Sequence, residues 1–203
     1  MRRLIYYVAT TLDGCIAAPD GDADFFPVTP DVLDFITEEY PETLPAHVRA
    51  ALGVDSPGRH FDTAVQGRAT YDPALRIGIT SPYRHLRQYV VSTTLTESPD
   101  PEVEIVSTDP LARVRALKAE DGKDIYLVGG ARLAGTLLPE IDGLVVKVYP
   151  IVAGAGIPLF TADFAPRRFE LTGTRVLDGG MVVLTYGRQG SSSASTESES
   201  TMR

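Results

Sequence analysis

The chain has 203 residues, with 19 Lys and Arg against 27 Asp and Glu, so its formal net charge is −8. This length suits one domain with a sizeable core, and 43% hydrophobic with 23% charged residues is typical of a soluble globular protein. The acidic balance argues against a nucleic-acid or anionic-membrane surface, because phosphate groups require clustered Lys and Arg.

The cysteine and histidine content excludes further classes of site. Cys15 is the sole cysteine, which excludes an intrachain disulfide, and no base lies near it in sequence to make it a nucleophile. The three histidines stand in no H-E-x-x-H or C-x-x-C context, so we predict no metal site. The chain shows neither a signal-peptide pattern nor a long apolar span, and we therefore expect a cytoplasmic protein.

The hydrophobic pattern predicts strands that alternate with helices. The predicted strands lie at 4–9, 63–67, 88–92, 103–106, 125–128 and 144–152, with a terminal hairpin of 169–176 and 181–186. The predicted helices lie at 30–40, 43–52, 110–120 and 131–138. This alternation indicates an α/β fold with a mixed, mostly parallel sheet, flanking helices and a C-terminal antiparallel hairpin over residues 1–188. Residues 189–203 are rich in Ser and cannot bury apolar surface, so we predict a disordered tail there.

Local signals mark the ends of the helices. Thr29-Pro30 and Asp109-Pro110 are typical N-cap and first-turn pairs, and Gly53 is the expected stop of the second helix. The helix after Pro110 is amphipathic, with Val114 predicted to face the core and Lys118 predicted to face solvent.

A strand, a Gly pair and a helix form the candidate phosphate site. The apolar strand 125–128 runs into Gly129-Gly130, which have no β-carbons to keep an incoming group away from the backbone. The free amide groups and the dipole at the start of the following helix favour negative charge. The motif is neither G-x-G-x-x-G nor a Walker loop, and the same residues also fit a tight turn with no ligand.

Two other strand ends carry polar residues that suit a nucleotide. Gly67 is predicted to allow a sharp turn, after which Arg68 and Thr70 offer a guanidinium and a hydroxyl group to a phosphate. The strand 88–92 ends in three hydroxyl residues that either bind a sugar or phosphate or simply cap the turn. These residues are Ser92, Thr93 and Thr94.

Five segments together resemble, in order and spacing, the dihydrofolate reductase-like family. In particular they resemble the stand-alone relatives of the reductase domain of bacterial riboflavin biosynthesis, the RibD C-terminal domain. The segments are 8–17, 65–71, 89–95, 125–133 and 150–160. The resemblance implies an NADPH-dependent oxidoreductase that reduces a small planar heterocycle, either a pterin or folate or a riboflavin-pathway pyrimidine. It also implies a homodimer.

The same resemblance implies cofactor-binding roles for particular residues. They are Gly129, Gly130, Ala131, Arg132 and Leu133 for the pyrophosphate, Gly67, Arg68 and Thr70 for adjacent phosphates, Ser92, Thr93 and Thr94 for the adenosine ribose, and Ala9 and Ile16 for the nicotinamide carboxamide. Relatives often have Arg at the position of Thr93, where it pairs with the 2′-phosphate, so NADH is not excluded as the cofactor. Arg59, Arg68 and Arg132 are candidates to replace that charge.

Reduction of a C=N or C=O bond needs a proton as well as a hydride. Folate reductases use a carboxylate at the start of the first helix, which makes Asp31 the first candidate, with Asp13 as the second and Asp24 as a competitor. Asp31 is equally explained by the helix dipole, and Asp13 by the turn beside Gly14.

Aromatic residues offer walls for a flat ring, although most aromatic side chains belong to a core. The candidates are Tyr6, Tyr7, Phe25, Phe26, Phe35 and Tyr71. Two other functions stay open at this stage: a non-catalytic nucleotide-binding or sensory protein that retains the fold, and a structural or interaction protein.

Overall fold

The structure is a computed structural model that describes residues 1–188. The strands are β1 (Leu4–Thr10), β2 (Cys15–Ala17), β3 (Phe61–Gly67), β4 (Arg87–Val91), β5 (Val103–Val106), β6 (Asp124–Gly129), β7 (Ile141–Val148), β8 (Ile157–Pro158), β9 (Phe169–Val176) and β10 (Val182–Arg188). The helices are α1 (Pro30–Glu39), α2 (Ala46–Leu52), α3 (Arg68–Arg76), α4 (Pro110–Ala119) and α5 (Ala131–Leu137), with a 3-10 turn at Pro41–Thr43. The predicted tail, 189–203, lies outside the described residues.

Eight strands form one sheet in the order β5-β4-β3-β6-β1-β7-β10-β9. The first six of these strands pair in parallel, and β10 is antiparallel to both of its neighbours. The small strands β2 and β8 form a separate antiparallel pair. The predicted α/β fold, with a mixed, mostly parallel sheet and a terminal hairpin, is therefore confirmed.

The sheet separates two hydrophobic clusters because successive side chains of a strand point to opposite faces. Tyr6 belongs to the cluster beneath α4 and α5, whereas its neighbour Tyr7 belongs to the cluster beneath α1. The second cluster is rich in aromatic rings, and Tyr7 lies 4.7 Å from Tyr40 and 5.9 Å from Tyr126 between ring centroids. No helix within residues 1–188 is long and apolar enough to cross a membrane.

Proline accounts for two differences from the predicted boundaries. The second helix begins at Ala46 and not at residue 43, because a residue before proline avoids the helical region and Leu44, before Pro45, has φ −76° and ψ 132°. Strand β7 ends at Val148, before Pro150, which has no amide hydrogen to donate to a neighbouring strand. Pro150 had indicated a break or bulge in the strand predicted over 144–152, and the strand ends two residues before this proline.

Three side chains also differ from the sequence expectations. Lys118 is buried and not exposed, because its ammonium lies 2.7 Å from a carboxylate oxygen of Asp142. Thr29 precedes α1 as expected, but its hydroxyl donates to Asp31 and does not cap the helix. Gly67 makes no sharp turn: it has φ −82°, and α3 begins at the next residue.

The close packing of α5 on the segment around Thr161 gives a test of the fold. A β-carbon on Gly135 would lie 1.8 Å from the Thr161 carbonyl oxygen. Gly135→Ala should therefore lower the free energy of unfolding by about 1–3 kcal/mol, although alanine is normally the better helix residue. Chemical denaturation measures the change, and Thr136→Ala on the exposed side of α5 is the matched control. Equal stability of Gly135→Ala and wild type would contradict this packing.

Candidate active site

Three glycines meet at the carboxyl edge of the sheet, where β3 and β6 end. The β-carbon position of Gly67 lies 3.5 Å from the Gly129 carbonyl oxygen and 3.6 Å from the Gly130 nitrogen. Gly129 has φ +127°, a region that favours glycine, and the Gly129–Gly130 peptide bond is cis. A β-carbon added to Gly130 would lie near one atom of the described residues outside its chain neighbours, the Thr70 hydroxyl oxygen at 3.5 Å. The structure thus brings these predicted residues together and leaves the backbone of Gly130 open.

Two helices begin at this edge without an intervening loop. Helix α3 begins at Arg68, directly after Gly67, and α5 begins at Ala131, directly after Gly130. The first amide groups of a helix lack acceptors within the helix and carry its positive dipole end. The Arg68 guanidinium forms an ion pair with Asp72 one turn further along α3, whereas Arg132 is exposed in the first turn of α5. The edge therefore collects amide donors and positive charge.

The hydroxyl residues after β4 lie next to this edge. Val91, the last residue of β4, is opposite Gly67, and Ser92 follows it. The buried Ser92 hydroxyl oxygen accepts from the amide nitrogens of Thr94 at 3.2 Å and Leu95 at 2.9 Å. Ser92 therefore caps its own turn, while Thr93 and Thr94 are exposed.

The residues expected beside the nicotinamide lie at the end of β1 and in β2. Ala9 is half-buried near the end of β1, and its register partner in β7 is Lys147. Ile16 is the half-buried central residue of β2 and packs against the cluster beneath α4 and α5. Cys15, beside it, is buried.

Both candidate proton donors are already hydrogen-bonded as acceptors. The Asp31 carboxylate accepts from the Thr29 hydroxyl and from the Gly179 amide at 2.8 Å, which connects the start of α1 to the turn between β9 and β10. These bonds, with the Thr29 hydroxyl as the largest cause, lower the pKa of Asp31. A carboxyl group that is ionised at neutral pH has no proton to give.

Asp13 has a similar structural environment. Its carboxylate accepts from the Thr11 hydroxyl at 2.6 Å and from the amides of Ala153 and Gly154 at 3.0 and 2.7 Å. The Thr11 hydroxyl bond and then the two amide bonds lower the pKa of Asp13 to about 2. Asp13 thereby fixes the 150–156 loop to the turn after β1, and Asp24, the competitor, is exposed.

Two other predictions are wrong, one about the role of Arg59 and one about the aromatic walls of the site. Arg59 cannot supply a charge for a 2′-phosphate, because it lies in a polar cavity with Arg2 and Lys123 at the amino ends of the strands and pairs with Glu39. The predicted aromatic walls do not form one surface either. Tyr7 and Phe26 pack in the cluster beneath α1, to which Phe35 of that helix also belongs. Tyr6 lies on the opposite face of the sheet, and Tyr71 packs in a third cluster.

Sequence reasoning missed Lys147, which is buried on the aromatic face of the sheet. The side chain is 9% exposed, and its ammonium nitrogen lies 4.1 Å from the centroid of the Tyr7 ring. Within residues 1–188 this nitrogen has no hydrogen-bond or ion-pair partner. Burial lowers the pKa of Lys147 to about 7. The signal in the sequence was a charged residue within the apolar run Leu144–Tyr149.

A second unpartnered donor lies on the same face. Gln66, just before Gly67, is 1% exposed, and its amide nitrogen has no hydrogen-bond partner among the described residues. Strands β3 and β7 stand three strand spacings apart, so the backbones of Gln66 and Lys147 are separated by about 14 Å. An ammonium and an amide that both lack partners can donate to the acceptor atoms of a bound molecule.

The strand order and the flanking helices define a dihydrofolate reductase-like α/β protein. Dihydrofolate reductase from Enterococcus faecalis, complexed with NADP(H) and RAB-propyl, superimposes with a TM-score of 0.63 at 16% identity over 92% of this chain and 96% of that chain. More particularly, the chain belongs to the RibD C-terminal domain family, whose model matches residues 2–183.

Two relatives are similar over nearly their whole length. The uncharacterized protein YwjB of Bacillus subtilis (strain 168) is 29% identical over 189 residues, which cover 92% of this chain and 98% of YwjB. A protein from Shewanella sp. PV-4 assigned to riboflavin biosynthesis has a TM-score of 0.68 and 26% identity, covering 92% of this chain and 99% of that chain. The family and fold neighbours are of reductase type.

The burial of Lys147 predicts a pH-dependent cost in stability. The unfolded chain keeps this proton up to about pH 10.5, whereas the folded protein loses it above about pH 7. The unfolded state therefore binds more protons between these values, so stability rises with pH across that range. Lys147→Met should be more stable than wild type by about 1–3 kcal/mol at pH 6, with a difference that shrinks toward pH 10.

Urea denaturation at a series of pH values measures this difference. Lys123→Met, which changes an exposed lysine at the other edge of the sheet, is the control and should show no such pH dependence. A constant difference between Lys147→Met and wild type from pH 6 to pH 10 would contradict the shifted pKa of Lys147.

Proposed function

We propose that the protein is an NADPH-dependent reductase that transfers a hydride to a small planar heterocycle, of the pterin, folate or riboflavin-pathway pyrimidine type. The observation that carries the proposal is the meeting of Gly67, Thr70 and Gly130 with two helix starts at the carboxyl edge of the sheet. Ligands of open α/β sheets bind at this edge. Membership of the RibD C-terminal domain family supports the same function.

The residues present fit a dinucleotide pyrophosphate. The open backbone at Gly130 lets phosphate oxygens approach the amide groups without contact with a side chain. The first amides of α5 and the Thr70 hydroxyl would donate to these oxygens, and Arg132 would balance part of their charge. Ala131 and Leu133 are buried and would hold the start of α5 in position.

The remaining residues would orient the two ends of the dinucleotide. Thr93 and Thr94 would lie along the adenosine ribose, with Ser92 shaping their turn. Ala9 and Ile16 would lie along the nicotinamide carboxamide. When bound, the dihydronicotinamide supplies the hydride, and the protein contributes binding and orientation.

The preference for NADPH over NADH depends on the charge beside the ribose. Thr93 offers no positive charge to a 2′-phosphate, and Arg68 is already paired with Asp72. We infer that Arg132 supplies the missing charge, so that NADPH binds more tightly than NADH and Arg132→Met removes the difference. Titration of both nucleotides into both proteins tests this preference.

One observation favours a second candidate, a nucleotide-binding or sensory protein without catalysis. Asp31 and Asp13 are both held as carboxylates by hydrogen bonds, so neither is suited to give a proton. This candidate predicts nucleotide binding without NADPH oxidation across folates, pterins and pyrimidines. Oxidation of NADPH with any of these compounds would exclude it.

The resemblance also supports two expectations about the protein in the cell. We propose a homodimer, and light scattering that gives the mass of a single chain would exclude it. We further propose a cytoplasmic location, which fractionation of the source cells tests.

Binding of NADPH should raise the melting temperature, because a ligand bound only by the folded state stabilises it by mass action. At a free concentration 100 times the dissociation constant, the gain is about 2.7 kcal/mol. Differential scanning fluorimetry with NADPH and NADH measures the shift. The absence of a shift with both nucleotides at millimolar concentration would overturn the proposed function.

Gly130→Asp should weaken NADPH binding by at least about tenfold, because it places a carboxylate where the pyrophosphate would lie. Gly130 has φ −93°, which any residue adopts, so this variant should fold. Gly130→Ala adds the β-carbon without the charge and is the matched control. Isothermal titration calorimetry measures both dissociation constants, and unchanged affinity in Gly130→Asp would refute this position of the phosphates.

A further inference from the structure

Lys147 is a buried titratable group on the aromatic face. Its ammonium lies over the Tyr7 ring, 4.1 Å from the centroid, and within residues 1–188 no carboxylate forms an ion pair with it. A buried charge without a counter-ion costs stability, whereas the similarly buried Lys118 has Asp142 at 2.7 Å. An ion pair within residues 1–188 therefore does not explain the lysine at this position, where the ammonium contacts the Tyr7 ring.

The position of Lys147 relates it to the proposed cofactor site. Its register partner on the adjacent strand is Ala9, which the proposed function puts beside the nicotinamide. Strands β1 and β7 are in contact at this level, so the two backbones lie about 4.8 Å apart. The contact with the Tyr7 ring shows that the lysine side chain rises from the same face as Tyr7 and Ala9.

We propose that Lys147 is the proton donor of the reduction, a role that rests on the proposed function. In the step, a hydride with its electron pair bonds to the carbon of a C=N or C=O group, and the π electrons move to the heteroatom. The Nζ–H bond of Lys147 breaks as the heteroatom–hydrogen bond forms. The substrate gains two electrons, the dihydronicotinamide loses two, and the neutral amine of Lys147 then takes a proton from water.

Several ionisable groups lie around Lys147 on this face of the sheet. The titratable or charged residues on the elements packed against this face include Tyr7, Tyr40, Tyr83, Tyr126, Tyr149, Asp31, Glu39, Glu42, His60, His85 and Arg175. Burial raises the pKa of all five tyrosines, so they remain neutral, and burial lowers the pKa of His85. His60 stacks on the ring of Tyr40, and its Nε2 lies 2.9 Å from a carboxylate oxygen of Glu39.

The oxidised nicotinamide ring is a cation, and the reduced ring is neutral. A protonated Lys147 beside the ring should therefore weaken binding of NADP⁺ but not of NADPH, because like charges repel at short range. We expect the ratio of the NADP⁺ to NADPH dissociation constants to fall about tenfold from pH 6 to pH 8.5 in wild type. Titration calorimetry measures it, and the phosphates common to both nucleotides cancel in the ratio.

Lys147→Met should remove this pH dependence, because methionine has a similar length and no charge. Lys123→Met is the control and should keep the pH dependence of the ratio. Because both variants retain His60, an effect of His60 would appear in both of them. The chain has three lysines, so ¹³C-labelled lysine gives three NMR signals, and the one absent from Lys147→Met is Lys147. Its titration midpoint should lie lower with NADP⁺ than with NADPH, a difference that a purely structural lysine would not show.

The outcomes separate the two proposals. If both nucleotides bind but the pH dependence of the ratio is the same in wild type and Lys147→Met, the role of Lys147 is overturned and the proposed function stands. If neither nucleotide binds to wild type, the proposed function is overturned, and the role of Lys147 is overturned with it. A Lys147 midpoint near 10 in the nucleotide-bound protein would also exclude it as the donor.

Discussion

Parallel pairing of the central strands determines where binding can take place in this protein. The carboxyl ends of β1, β3, β4 and β6 lie at one edge, so the chain must leave the sheet there each time. At β3 and β6 it enters a helix at once, and both helix starts come within contact distance of Thr70 and the paired glycines. Amide donors from segments about 60 residues apart in sequence are thus collected in one place.

On the aromatic face of the sheet, the stability of the fold and the proposed chemistry place opposite demands on Lys147. Lys147 is buried against the Tyr7 ring, and this burial lowers the pKa of the lysine. Burial of a charge without an ion-pair partner costs stability, and the proposed role of Lys147 would account for a lysine at this position. The amide nitrogen of Gln66 on the same face also lacks a hydrogen-bond partner among the described residues.

The sequence alone predicted the strands and the glycine edge well, because both depend on local patterns. Apolar runs such as 125–128 and the Gly pair at 129–130 are visible without knowledge of the fold. Boundaries near proline were less accurate, and Lys118 and Lys147 were not predicted to be buried. Burial of a lysine depends on partners from distant segments, such as Asp142 for Lys118 or Tyr7 for Lys147, and no local pattern reveals these contacts.

Contacts from distant segments also decide the environment of the two candidate proton donors, Asp31 and Asp13. Asp31 occupies the expected position at the start of α1, but its amide partner, Gly179, comes from the last hairpin. Similarly, Asp13 was interpreted as a turn residue or an acid, and its contacts with Ala153 and Gly154 connect two loops that are remote in sequence.

The position of β1 between β6 and β7 has a consequence for synthesis. Leu4 pairs with Ile125 and Ile141, so β1 has no neighbour in the sheet until residues more than about 120 positions further along the chain have been made. Its apolar residues must stay exposed or be covered by other proteins during that time. Placement of β1 in the sheet therefore depends on pairings between residues distant in sequence, which are slow to form.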